Sequence, residues 1–273
     1  MKKLLGILVL VSLLIFLINY IFFFKTEYRV LHAGGIYKNQ TYTNSIEALE
    51  KNKKGFKYFE IDLQLTKDNK IICEHDINPS ILYYDQFLIE NSKKKIKSCD
   101  YKSLKNWLKK NPEKIIITDV KSNNNLEALK FIQQNFNNYK KNFIPQIYDP
   151  QNYELVKNMG YNDIIWTLYR WYGNDKDHKK IISIIKNKSF FAVTMPGDWA
   201  KNGLAKRIRE ETETKTLAQS VNFRRDVVKM IFIYKVTDIH TNRVLNDIDN
   251  IFVWLYKKKL SKLWKQLDEL LVT

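Results

Sequence analysis

Short apolar runs alternate with amphipathic stretches along most of the chain, the pattern expected of repeated β–α units. The apolar runs predict strands over Arg29–Leu31, Lys57–Leu63, Ile115–Val120, Phe143–Tyr148, Asp163–Leu168, Phe190–Met195, Met230–Val236 and Asn250–Leu255. Helical patterns such as "NSIEALEKN", "DYKSLKNWLKKN", "NLEALKFIQQNF" and "PQNYELVKNMG" lie between them. In the second, Asp100 stands at the N-cap position and Leu104, Trp107 and Leu108 form one apolar stripe. In the fourth, Pro150 opens the helix and Gly160 ends it. Eight strands with interposed helices predict an α/β fold, a TIM (β/α)8 barrel, although a doubly wound open sheet produces a similar pattern.

The first apolar run is of another kind. Leu4–Phe24 is interrupted only by Ser12, Asn19 and Tyr20, and about 20 residues suffice to cross a bilayer core. Bulky aromatics in "INYIFFFKTEY" occupy the place where a cleavage site needs small residues. The run therefore reads as an uncleaved signal anchor over residues 1–25, followed by one large domain over 26–273. Lys2 and Lys3 before the run favour an inside N-terminus. The expected location is the cell membrane, single-pass, with the domain outside the cytoplasm. The formal net charge is +17, and with an anchor present it points to anionic lipid or a phosphate-bearing envelope polymer rather than nucleic acid. Cys73 and Cys99 could pair in an oxidising compartment. Cys73, in the apolar "KIIC", reads better as a small buried hydrophobe.

A barrel places chemistry at the C-terminal ends of its strands, and polar residues gather there. His32 follows the first strand. Glu60 and Asp62 share one face of the second, two residues apart. His75 follows a short turn and return strand, and Asp119 and Lys121 finish the third. Tyr169 and Arg170 close the fifth. His240, in "VTDIH", falls near a barrel end and reads as a residue at a helix start. Paired carboxylates on an apolar strand need a cation or a basic side chain beside them, or else a face open to water.

The ordered motifs "LHAGG…YTNSIEAL…FEIDLQLTKDNKIICEHD…IIITDVK" resemble the glycerophosphodiester phosphodiesterase family, of the superfamily that includes phosphatidylinositol-type phospholipases C, and mark the chain as similar to a divergent member of it. The resemblance implies a metal-dependent phosphodiester hydrolase with His32 and His75 as the acid/base pair. It implies Glu60, Asp62 and Asp119 as ligands of one divalent cation, Ca²⁺ or Mg²⁺, and Lys121 on a phosphate oxygen. The implied substrates are glycerophosphodiesters, either deacylated phospholipids or a glycerol-phosphate envelope polymer. The alternatives are a cyclising phospholipase C-like enzyme or an inactive anchored binding module. The chain departs from the family pattern at Ala33 in place of Arg, at Thr43 in place of Glu and at Asp119 in place of Glu. Tyr234 in "IYKVTD" stands for the Trp of the family's Val-Trp-Thr-Val-Asn run, and "IDNI" for its Val-Asp-Gly-Ile. These changes leave the histidines and carboxylates in place and unsettle the polar headgroup pocket.

Overall fold

The computed structural model describes residues 29–76, 83–120, 125–170, 177–223, 226–227 and 229–242, with positions 6, 12 and 13 standing alone. The strands are β1 (Val30–Leu31), β2 (Tyr58–Asp62), β3 (Gln64–Leu65), β4 (Ile71–Ile72), β5 (Ile115–Asp119), β6 (Phe143–Ile147), β7 (Ile165–Thr167), β8 (Ala192–Pro196), β9 (Lys215–Gln219) and β10 (Asp238–Thr241). Eight of them close a parallel barrel in the order β1-β10-β9-β8-β7-β6-β5-β2, while β3 and β4 form a separate antiparallel pair. The helices are α1 (Ile46–Asn52), α2 (Tyr84–Lys93), α3 (Tyr101–Lys110), α4 (Asn125–Asn135), α5 (Tyr153–Asn158), α6 (His178–Lys186), α7 (Gly197–Lys201) and α8 (Leu204–Thr212).

Strand alternation gives this barrel two apolar cores. Phe59, Ile61, Ile116, Phe143, Trp166, Val193, Ala218 and Ile239 belong to the larger cluster, which also takes the buried faces of the helices. The residues of opposite parity, Val30, Tyr58, Ile117, Ile144, Ile165, Ala192 and Leu217, form a second cluster inside the barrel. This inner plug lies toward the strands' N-terminal ends. The inward positions beyond it, Glu60, Asp62, Asp119, Gln146, Thr167, Thr194 and His240, are polar and buried. The strand sequence thus sets a dry floor beneath a polar mouth, the arrangement in which barrels carry their chemistry.

Helix α3 follows its expected pattern. Ser103 N–H donates to Asp100 Oδ1 at 2.7 Å, and Leu104, Trp107 and Leu108 are buried. Gly160 ends the α5 region at φ +92°.

The last two strands correct the sequence reading. Met230–Val236 is not a strand: Lys229–Ile233 forms a π-helical turn in which only Met230 is buried, with Phe232 and Ile233 exposed. A short apolar run does not tell strand from helix by periodicity. Barrel closure is made instead by "KTLAQ" and "DIHT", whose inward Asp238 and His240 interrupt the apolar signal. Asn250–Leu255 lies outside the described residues, and the barrel closes without it. The comparison of Tyr234 and "IDNI" with the family's last strands therefore falls on segments other than β9 and β10. Most of the expected anchor Leu4–Phe24 also lies outside the described residues. Among the described residues no helix is long and apolar enough to cross a membrane.

Candidate active site

The loop after β1 turns sharply to bring His32 over the barrel mouth. Ala33, Gly34, Gly35, Tyr42 and Asn44 all hold positive φ, a region that asparagine tolerates and glycine occupies freely. At Gly35 (φ +85°) a Cβ would stand 2.9 Å from both Leu31 methyls and 3.0 Å from Asn52 Nδ2, so the turn requires glycine. Asn52 Nδ2 donates to Gly34 O at 3.0 Å and fastens the loop to α1.

His32 is 9% exposed. Its Nδ1 donates to Asn242 Oδ1 at 2.7 Å, and its Nε2 stands 3.7 Å from Glu60 Oε2. Glu60 is enclosed. His240 Nδ1 donates to Glu60 Oε2 at 2.8 Å, and Gln146 Nε2 donates to Oε1 at 3.2 Å. Thr167 Oγ1 in turn donates to Gln146 Oε1 at 2.8 Å. Burial raises the carboxyl's pKa, but the His32 and His240 imidazoles, with the hydrogen bonds from His240 and Gln146, outweigh it and bring Glu60 down to about 2. Glu60 is an ionised acceptor, so His240 Nδ1 carries the shared proton.

Asp62 is held by Asn44, whose Nδ2 donates to Asp62 Oδ2 at 2.9 Å while Asp62 N–H donates back to Asn44 Oδ1 at 3.1 Å. Asp119 is the register partner of Asp62 on the next strand. It accepts from the Tyr148 hydroxyl and, at 3.4 Å, from the Tyr169 hydroxyl. Burial and the facing Asp119 carboxylate push the Tyr148 phenol well above its ordinary range.

His75 lies outside the barrel proper, beyond the β3–β4 pair. Its side chain is 32% exposed, and its Nδ1 donates to Asp76 Oδ1 at 2.7 Å. The Tyr42 ring stands between the two histidines, with centroids 4.9 Å from His32 and 4.5 Å from His75. Cys73, two residues before His75, is disulfide-bonded to Cys99, so the reading of Cys73 as a free buried hydrophobe is corrected. Cys73 N–H donates to Cys99 O, and Cys99 N–H donates to Asn44 O at 2.8 Å. The staple therefore ties the His75 arm to the asparagine that holds Asp62.

The structure gathers His32, Glu60, Asp62 and Asp119 at one mouth, with His75 joined to His32 through Tyr42. Lys121 lies outside the described residues, as does the side chain of Arg170. The three buried carboxylates occupy inward positions on neighbouring strands, and their hard oxygens suit a hard divalent cation. Among the described residues no three of His, Cys, Asp and Glu approach closely enough to hold an ion together. Glu60 is drawn toward His240 and Gln146, and Asp119 toward two phenols. The sequence reading missed His240, Gln146 and Asn242 as members of this mouth. Their signal was strand parity, open to reading for Gln146 on the predicted strand Phe143–Tyr148 but legible for His240 and Asn242 only once the closing strand is placed.

Residues 32–194, more than half of the chain, match the Glycerophosphoryl diester phosphodiesterase family. A glycerophosphodiester phosphodiesterase structure from Parabacteroides distasonis superposes at TM-score 0.64 and 17% identity, covering 84% of this chain and 97% of that one. One from Thermotoga maritima gives 0.61 and 18%, covering 83% and 97%. A putative one from Galdieria sulphuraria gives 0.63 and 12%, covering 82% and 96%. At these identities the likeness is one of fold. No curated protein sequence matches the chain.

Proposed function

The chain belongs to the glycerophosphoryl diester phosphodiesterase family, a family of phosphoric diester hydrolases, and we propose that it cleaves glycerophosphodiesters by acid–base catalysis between His32 and His75. One observation carries the reading: a buried imidazole, His32, and a half-exposed one, His75, flank a single aromatic ring at a mouth lined by three buried carboxylates. Hydrolysis needs one group to take a proton from the nucleophile and another to give one to the leaving alkoxide, and imidazole is suited to both near neutral pH. With its Nδ1 committed to Asn242, His32 keeps Nε2 for the reaction. With its Nδ1 committed to Asp76, His75 does the same from the solvent side.

Asp62 and Asp119, with Glu60 behind them, are the residues that would hold one divalent cation, Ca²⁺ or Mg²⁺. Bound there, such an ion neutralises the charge that makes a phosphodiester resist attack. Lys121, two residues beyond Asp119, would add a second positive charge. Ala33 and Thr43 stand where the family has Arg and Glu, which takes a charged pair out of the loop after β1. The substrates of this reading are a deacylated phospholipid or a glycerol-phosphate envelope polymer. We place the domain, 26–273, outside the cytoplasm on the Leu4–Phe24 anchor, a placement supported by the Cys73–Cys99 disulfide, which needs an oxidising compartment.

The test is product analysis with glycerophosphocholine and a glycerol-phosphate polymer in the presence of Ca²⁺ or Mg²⁺. Release of glycerol phosphate by the wild type, lowered about 10²–10⁴-fold in His32→Ala, is the expected result. A folded wild type that turns over neither substrate, or a His32→Ala variant of full activity, overturns it. A stable cyclic phosphate product would make the enzyme a cyclising one.

A further inference from the structure

The closing strand brings a third imidazole into this site. His240 is on an inward position of β10, in register with Val30 of β1, which is itself in register with Tyr58 of β2. Closure of the barrel across this seam sets His240 beside Glu60, 180 positions away in the sequence. The His240 ring is fully buried. Its Nδ1 is spent on Glu60 Oε2, the same oxygen that faces His32 Nε2 at 3.7 Å. Its Nε2 is buried without a hydrogen-bond partner among the described residues. Most buried polar atoms are satisfied, and an apolar side chain would fill this place without the desolvation that an orphaned ring nitrogen carries. Among the described residues the ring has one anchor, and that anchor is a carboxylate of the mouth.

We propose that His240 is a positioning residue of the hydrolytic site: its Nδ1–H fixes the Glu60 carboxylate between Gln146 and itself, and through Glu60 it sets where the His32 ring stands. His240 does not touch substrate in this scheme. The clamp has two jaws, since Gln146 is itself locked by Thr167, and His240 is the jaw on the side of His32. The inference rests on the reading of the mouth as hydrolytic.

Three variants separate this role from packing. His240→Leu keeps bulk and removes the donor. His240→Asn places an amide nitrogen where Nδ1 stands, whereas His240→Gln carries its amide to the Nε2 position. In His240→Leu, kcat falls about 10–100-fold, as for loss of a partner that orients a site ligand, while KM moves less than about 3-fold. His240→Asn recovers most of kcat and His240→Gln does not. Equal kcat for wild type and His240→Leu, or equal kcat for the Asn and Gln variants, overturns the proposal. Should His240→Leu fail to fold, the Asn and Gln pair decides. A crystal structure of His240→Gln gives a readout independent of turnover. Glu60 leaves its present orientation and the His32–Glu60 separation departs from 3.7 Å, and an unmoved Glu60 and His32 sink the proposal. Absence of any wild-type turnover would overturn the hydrolytic reading alone, because the structural readout still tests the clamp.

Discussion

The two histidines of the mouth are held by opposite means. His32 sits inside the barrel, with one nitrogen on Asn242 and the other facing a carboxylate that is clamped from β6 and β10. His75 stands on an arm outside the barrel, its one hydrogen bond among the described residues going to an Asp76 that is 93% exposed, and that arm is tied down by a disulfide two residues upstream. The place of His32 is thus a consequence of global closure: if the seam opens, Glu60 loses His240 and His32 loses Asn242 together. The place of His75 follows from a local covalent staple. One wall of the site should share the fate of the whole fold, and the other should fail on its own.

The largest test of that contrast is Glu60→Ala. It leaves His240 Nδ1 and Gln146 Nε2 buried without their acceptor, and each buried donor left unsatisfied costs about 1–3 kcal/mol. Chemical denaturation should register that loss, with turnover falling alongside. A stability change under 1 kcal/mol would mean that the inner wall is not coupled to the fold. Acid sharpens the same point. Because Glu60 titrates lower in the folded state (about 2) than its ordinary 4.5, its ionised form stabilises the protein fully above about pH 4.5. That contribution drains away as pH falls toward 2. Wild type should therefore lose thermal stability over that window faster than Glu60→Gln, whose amide does not titrate.

The next effect belongs to the arm. Replacing Cys73 and Cys99 by serine reopens a loop of sequence separation 26, at a cost of about 3 kcal/mol through the unfolded state. Its signature in the native state is what separates the walls. Cys99 N–H still donates to Asn44 O, so the Asp62 corner stays in place while His75 drifts. Misplacement of a reacting group by about 1 Å can lower kcat by about 100-fold. Assays at a temperature where the variant remains folded should show kcat reduced, whereas an unchanged kcat would show that the β3–β4 pair alone positions His75.

The same contrast explains what the sequence made legible. His32, Glu60, Asp62, His75 and Asp119 fall within motifs in which polar residues interrupt apolar strands at fixed short spacings, and their gathering at one end of the fold could be read there. The helix capped by Asp100 was equally local. What failed was long-range. "DIHT" hides a strand because its inward side chains are polar, and "MIFIYKV" suggests one that tertiary packing turns into a helix. His240 was visible as a residue, but its acceptor lies on the strand at the other side of the seam, a relation that no spacing within the chain encodes. The cysteine pair was undecidable for the same reason: two residues permit a bridge without saying whether the fold brings them together.

The smallest effect gives the finest discrimination. Asp76→Asn keeps an oxygen that can accept from His75 Nδ1 and removes the charge. In a buried wall such a change would be severe, because the imidazolium formed during turnover would lose its counter-charge in a low-dielectric setting. Asp76 is almost fully open to water, where an ion pair contributes about 0–1 kcal/mol, so kcat should fall no more than about 5-fold and the melting temperature should not move. Salt supplies the control. At about 1 M ionic strength, where the screening length is near 3 Å, the gap between wild type and variant should close. A loss beyond about 100-fold that persists in high salt would show that the arm shuts over its histidine during turnover and that the outer wall, once substrate is bound, becomes as buried as the inner one.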